Sequence, residues 1–190
     1  MNRNRWSRDQ LIKVLSLYCQ IPFGRMHNRN PAVITLAEAI GRTPSAVALK
    51  LVNFASLDPE LQARGIGGMG NTSAADRSIW EEFYGRWDVL ADNSIFPEPI
   101  DDTQTSLRDQ SESLTAPSGP TEVLREVSQR RGQSFFRASV FAAHDGKCCI
   151  TGIASLPLLR ASHIVPWSQD PAFRLDPQWA MPKRAPRRGL

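Results

Sequence analysis

A polar, acidic stretch in the middle of the chain limits what this chain can fold into. Residues 96–120 read FPEPIDDTQTSLRDQSESLTAPSGP, with five acidic residues, one basic residue and few large apolar side chains. Such a segment cannot bury enough apolar surface to offset the entropy lost on ordering. We therefore expect a disordered acidic linker between a helical domain at residues 1–95 and a C-terminal part that begins at residue 121.

The overall composition is that of a globular protein. Of the 190 residues, 41% are hydrophobic and 22% are charged, which is ordinary for folded domains. No run approaches the ~18 apolar residues of a membrane-spanning helix, so we expect no membrane partner. The first residues lack the apolar core of a secretory signal, and three cysteines make a poor disulfide framework. We expect a cytoplasmic protein, and nothing in the composition indicates an oligomeric state.

The basic charge of the chain is concentrated at one end. The formal net charge is +4, and residues 178–190 alone carry four basic and no acidic residues, whereas residues 1–177 carry 19 of each. A pI near 9.3 would ordinarily suggest a nucleic-acid partner. Here the pI reflects an aberrant basic tail and gives no separate evidence for DNA binding.

Capping signals predict helices in the N-terminal part. A cap residue followed by proline is a strong helix start, and it occurs twice: at Asn30-Pro31 and at Thr43-Pro44. The two helices are separated by a short turn at Gly41, which gives residues 31–55 the pattern of a helix-turn-helix. A third helical pattern, over residues 76–90, places aromatic residues on one face and indicates core packing.

The helix-turn-helix-like segment offers candidates for nucleic-acid contacts. Arg42 lies in the turn, and Ser45 and Lys50 fall on the polar side of the second predicted helix, where they could contact phosphates or bases. An ordinary helical hairpin packed in a small domain fits the same pattern. The sequence leaves both interpretations open.

The C-terminal part predicts a mixture of helices and strands. Helical patterns cover residues 121–130 and 133–141, and a turn then leads to two short strands at 148–152 and 158–167. Cys148 and Gly152 are assigned structural roles in this hairpin. Cys148 and Cys149 are adjacent and have no second pair, which excludes a four-cysteine zinc site and favours buried thiols.

Three motifs in this part carry a family resemblance. They are residues 132–137 (GQSFFR), 148–152 (CCITG) and 161–167 (ASHIVPW). Together they resemble the opening half of the HNH endonuclease fold, in its restriction-endonuclease-like branch. The fold class that follows is α+β: a mainly helical N-terminal domain, a linker, and an incomplete ββα-metal module at residues 121–177.

The resemblance implies metal-dependent hydrolysis of DNA phosphodiester bonds. His163 matches the family histidine that activates water, a role suited to a group that titrates near neutral pH. A divalent metal such as Mg²⁺ is the implied cofactor and DNA the implied partner. Many relatives carry an acidic or histidine ligand just before this histidine, where this chain has Ser162.

The family pattern stops after residues 174–177 (RLDP). Such nucleases usually continue with Asn-Gly-Leu-x-Leu and a metal-binding helix, but residues 178–190 contain Pro182 and Pro186 and no His, Asp or Glu. Reading one nucleotide later permits Asn-Gly-Leu-Cys-Leu-Ser-Ala-Leu-His-Asp-Ala in the same place. We therefore hypothesise a truncated or frameshifted nuclease whose tail is disordered.

Two functions follow from these observations. The first is an HNH endonuclease of a restriction-modification or mobile-element system, impaired because the ligand-bearing segment is absent. The second is a non-catalytic DNA-binding protein that uses the helix-turn-helix-like segment.

Overall fold

Helix α1 (Arg8–Gln20) is the central element of the computed structural model, which describes residues 5–66, 72–92, 120–164 and 180–184. Ser7 and Gln10 form a capping box at its start, in which each side chain accepts a hydrogen bond from the other residue's backbone N–H. This arrangement satisfies two helix-end donors at once. Most of the helix is buried, through Leu11, Ile12, Val14, Leu15, Ser16, Leu17 and Tyr18.

Helices α2 (Pro31–Ala39) and α3 (Pro44–Ala55) begin at the two predicted cap-proline pairs. Asn30 and Thr43 each accept a backbone N–H from the first turn, as the sequence predicted. The helices are bent by 107° relative to each other, within the range of helix-turn-helix motifs. Gly41 turns the chain with a φ of +67°, a conformation that glycine adopts without steric cost.

Three further helices follow in the N-terminal part: α4 (Pro59–Ala63), α5 (Ala74–Phe83) and α6 (Trp87–Asp92). The single helix predicted over residues 76–90 is therefore wrong. The chain leaves α5 at Tyr84, which is extended, and Gly85 has a φ of +76°, so the helix is broken before α6 begins. The aromatic periodicity did not show this break, because Trp87 still packs against the same core.

A buried ion pair joins α3 to α5. Lys50 Nζ lies 2.9 Å from both carboxylate oxygens of Asp76, and the two residues are 8% and 0% exposed. Asp76 also accepts the backbone N–H of Ser73 in the capping box of α5. The carboxylate thus neutralises a buried ammonium group and caps a helix.

Helix α7 (Pro120–Ala143) is continuous over 24 residues, which corrects the prediction of two helices at 121–130 and 133–141. Phe135, Phe136 and Val140 on α7 belong to the same hydrophobic core as α1. Full burial of such a side chain contributes about 1.5–3 kcal/mol, whereas glycine inside a helix costs only about 1 kcal/mol. Tertiary packing therefore carries the helix through Gly132. The predicted linker, apart from Pro120, lies outside the described residues.

Strands β1 (Leu159–His163) and β2 (Ala180–Arg184) form a two-stranded antiparallel sheet in which His163 pairs with Ala180. The predicted hairpin between residues 148–152 and 158–167 is wrong. Residues 149–151 form a turn, and residues 165–167 of the predicted second strand lie outside the described part of the chain.

The position of β2 also corrects the prediction of a disordered tail at residues 178–190. Five of those residues are a strand, with Pro182 opposite Ala161. Proline lacks a backbone N–H, but an edge strand tolerates it when its nitrogen faces away from the partner. Both strands of a two-stranded sheet are edges. Residues 178–179 and 185–190 lie outside the described part.

No single helix among the described residues is long and apolar enough to cross a membrane. Helices α2 and α3 together have the length and apolar composition of a membrane span, but they form a bent pair. Their apolar residues Val33, Leu36, Val47 and Leu51 are buried in the core.

We predict that Lys50→Met lowers the free energy of unfolding by roughly 3–5 kcal/mol, because it leaves the Asp76 carboxylate buried without a counter-charge. Urea denaturation followed by circular dichroism measures the change. Lys13→Met is the matched control: Lys13 pairs with the exposed Asp9 on one helix face, and its loss should cost less than about 1 kcal/mol. Equal costs for the two variants would contradict a stabilising role for the buried pair.

Candidate functional site

His163 is the last residue of β1 and is half-buried. Its imidazole ring stacks on the ring of Phe136 from α7, with centroids 4.0 Å apart and planes 2° from parallel. Strand alternation places His163 on the same face as Leu159 and Ala161. Leu159 is buried and Ala161 packs against the hydrophobic core. The histidine is therefore held on the side of the strand that faces α7.

Arg137, the next residue on α7, fixes the start of the same strand. Its guanidinium donates hydrogen bonds to the carbonyl oxygens of Leu159 (3.1 Å) and Leu156 (3.4 Å), and its Cζ lies 4.5 Å from the ring centroid of Phe141. These carbonyl oxygens precede or begin β1. Arg137 thus anchors the backbone of the strand that Phe136 supports at its other end.

The geometry gives a physical reason for the motif at residues 132–137. Phe136 and Arg137 are its last two residues, and both act on β1. In the sequence alone, these two residues carried only the family resemblance and had no predicted role. Their adjacent positions in a fixed motif could have indicated a shared role. The sequence did not show which element they contact, because the strand lies more than 20 residues further along the chain.

Residues 148–153 fold back on themselves instead of forming the predicted strand. The Cys148 N–H donates to the Ile153 carbonyl (2.8 Å), and the Gly152 N–H donates to the Cys148 carbonyl (2.9 Å). Cys148 Sγ accepts the Thr151 N–H at 3.4 Å. Gly152 has a φ of +70°. These local bonds use the backbone groups that a strand would have offered to a partner.

The two adjacent cysteines have different environments. Cys148 is 3% exposed, in agreement with the prediction of a buried thiol, whereas Cys149 is exposed, which the prediction had wrong. None of the three cysteines, all of which lie in the described part of the chain, forms a disulfide.

The described residues do not fit the divalent metal that the resemblance implies. Among them, no group of three or more His, Cys, Asp or Glu side chains is close enough to hold an ion. Asp170 and Asp176 lie outside the described ranges. We therefore derive no catalytic step through a metal.

The three nucleic-acid candidates differ in burial and in the partners that they contact. Lys50 is buried against Asp76, which corrects its assignment to the polar side of the helix. Arg42 is half-buried and donates to Gln10 Oε1 (3.1 Å) and to the Arg5 carbonyl (2.5 Å). Ser45 is exposed and accepts a hydrogen bond from Asn28 (3.1 Å).

Trp6 has a role that its sequence context did not predict. Its ring lies 4.7 Å from Arg42 Cζ and 5.3 Å from Lys50 Nζ, so it contacts both cations. Cation–π contacts of this kind contribute about 0.5–2 kcal/mol. An isolated Trp near the start of the chain gave no spacing signal that could have connected it to α3. In this conformation, the two cations stabilise the helical core.

Residues 148–188 match the family model for HNH endonuclease, over about a fifth of the chain. No curated protein and no solved structure matches the chain. The matched segment contains the turn at Cys148, both strands and His163, and it supports assignment of this part of the chain to the HNH endonucleases, as the motifs predicted. The match also continues through most of the basic tail.

We predict that Phe136→Leu moves the ring-proton NMR signals of His163 downfield, because the stacked aromatic ring that shields them is lost. Phe135→Leu is the matched control, since it makes the same change at the neighbouring buried residue without removing the stack. Unchanged His163 signals in the Phe136 variant would contradict the stacking.

We predict that Gly152→Ala speeds amide exchange at Cys148 by about 5- to 30-fold. A left-handed backbone costs a residue with a Cβ roughly 1–2 kcal/mol, and the turn should open more often as a result. Gly24→Ala is the control, because Gly24 does not have positive φ and has open space around it. Exchange at Cys148 that is the same in both variants would contradict the strain argument.

Proposed function

We propose that α7 and the segment that follows it form an HNH-type endonuclease module that hydrolyses phosphodiester bonds of DNA, with His163 as the general base. One observation carries the proposal: His163 lies inside the matched segment and is held on a ring, Phe136, that precedes that segment in the chain. The family match supports a nuclease and a DNA substrate.

The environment of His163 suits proton transfer. The ring is half-buried, so one side is fixed by Phe136 while part of the imidazole stays accessible to water. An imidazole titrates near neutral pH and takes a proton from an attacking water more readily than the other neutral side chains do. Arg137 restrains the strand that carries the imidazole and limits the positions it can sample.

The module in this chain is impaired. The family commonly uses a divalent metal, which supplies charge stabilisation at the phosphate when bound. Residues 178–190 carry no His, Asp or Glu, and residues 180–184 are paired with β1 as a strand where the family pattern has a ligand-bearing helix. The residues in this position therefore offer no ligand of the usual kind.

A frameshift is the origin that we propose for this tail. The shifted frame permits Asn-Gly-Leu-Cys-Leu-Ser-Ala-Leu-His-Asp-Ala over residues 178–188, which restores a histidine and an acidic residue. The coding DNA decides the matter. Codons that block Asn at position 178 or His at position 186 in that frame would overturn the frameshift and leave the proposed nuclease assignment intact.

We predict that the unmodified chain nicks supercoiled plasmid DNA weakly in Mg²⁺ or Mn²⁺. His163→Ala should lower that nicking rate at least about 100-fold, the usual contribution of a general base. Gel quantification of nicked plasmid over time measures both. His27→Ala is the matched control, because His27 is exposed and lies in the N-terminal part of the chain, outside the nuclease module.

A second variant makes the test decisive if the parent rate is below detection. Replacement of residues 178–188 by the shifted-frame string should raise nicking, and the added rate should require His163. Robust nicking by the unmodified chain would overturn the impairment. Nicking that survives His163→Ala in the repaired chain would overturn His163 as the base.

A further inference from the structure

A cavity of about 410 Å³ lies where the C-terminal ends of α1 and α7 meet α4 and α5. Its volume is that of a small-molecule site. Cys149 and Ile164 of the C-terminal segment also line it. The general base proposed above does not line the cavity, and neither do the three nucleic-acid candidates. The nuclease proposal therefore leaves this cavity without a role.

One wall of the cavity is aromatic. Four rings follow one another along it, with centroids 5.8 Å apart from Tyr18 to Trp80, 5.1 Å from Trp80 to Tyr84 and 5.7 Å from Tyr84 to Trp87. Tyr84 is 39% exposed, so part of this wall is accessible from solvent. The negative faces of such rings attract cations.

The charged lining of the cavity is mainly acidic. Asp58, Glu60 and Asp145 line it against one guanidinium, that of Arg64. The Tyr18 hydroxyl donates to Asp58 at 2.5 Å, and burial raises the pKa of this phenol above its usual range, so the phenol stays neutral. The surplus of negative charge disfavours a phosphate or carboxylate ligand and favours a cation.

A buried hydroxyl on the cavity wall points to a missing partner. Ser139 of α7 is 1% exposed and lines the cavity. Its Oγ is a buried polar atom with no hydrogen-bond partner among the residues that the structure describes. Buried hydroxyl groups are nearly always paired, and an unpaired one costs about 1–3 kcal/mol. A ligand with a hydroxyl or N–H group would satisfy it.

We propose that this cavity binds a small organic cation, with its apolar body against the aromatic wall, its positive charge beside the carboxylates and a polar group on Ser139 Oγ. His163 does not line the cavity, and a binding measurement tests this proposal without reference to the nuclease assignment.

Choline is the probe for the test, because it combines a quaternary ammonium with one hydroxyl. Its neutral isostere 3,3-dimethylbutan-1-ol has the same shape without the charge, and 3,3-dimethylbutanoate carries the opposite charge. Each is titrated into the unmodified full chain and followed by isothermal titration calorimetry. We expect choline to bind at least about 10-fold more tightly than the isostere, with no measurable binding of the anion.

Variants at the mouth of the cavity locate the binding. Tyr84→Leu should weaken choline binding by roughly 2- to 30-fold, the range of a cation–π contact. Glu60→Gln should weaken it by up to about 5-fold, because it removes one exposed negative charge beside the ligand. Glu38→Gln is the matched control, an exposed carboxylate on α2 outside the cavity, and should leave binding unchanged. Both mouth variants change exposed residues, so the fold should be retained.

Three outcomes would overturn the proposal. They are no binding of choline, equal binding of choline and its neutral isostere, or an equal loss of affinity in the Glu38 and Glu60 variants. The first two are measured on the unmodified chain and therefore do not depend on how any variant folds.

Discussion

The packing of α7 against α1 is the contact on which the rest of the structure depends. Phe135, Phe136 and Val140 enter the same core as the buried residues of α1, although about 100 residues of chain separate the two helices. Each side chain contributes a few kcal/mol through burial, which is enough to hold α7 as one helix through Gly132. The C-terminal segment is thereby attached to a rigid support and does not rely on its two-stranded sheet, which would be marginal alone.

The support also explains how a histidine on a short strand can be positioned. Phe136 is buried in the core and also stacks on the His163 ring. Arg137 holds the backbone at the start of β1. Two consecutive residues of one helix therefore restrain the strand and its histidine, and the HNH family match falls on the segment that they hold.

Charges in the helical part serve the fold in a way that composition could not show. Lys50 lies between the Asp76 carboxylate and the Trp6 ring, and Arg42 lies on the same ring. A lysine on a helix is usually exposed, so the sequence favoured a surface role for it. The partners that bury it come from segments remote in sequence. Residues 1–177 carry equal numbers of basic and acidic residues, which agrees with a role for Lys50 and Arg42 in contacts inside the protein.

Local signals in the sequence determined where α2 and α3 begin, because a cap residue satisfies the orphan N–H groups of its own helix and no distant contact is needed. The sequence also predicted the likeness of the C-terminal segment to HNH endonucleases, through motifs with fixed spacing. Only the tertiary structure decided that α7 is continuous, that residues 149–151 turn, and that β1 pairs with the basic tail, since each outcome depends on packing or pairing partners far along the chain. The cavity beside Ser139 is of the same kind: its walls come from elements that meet only in the folded protein.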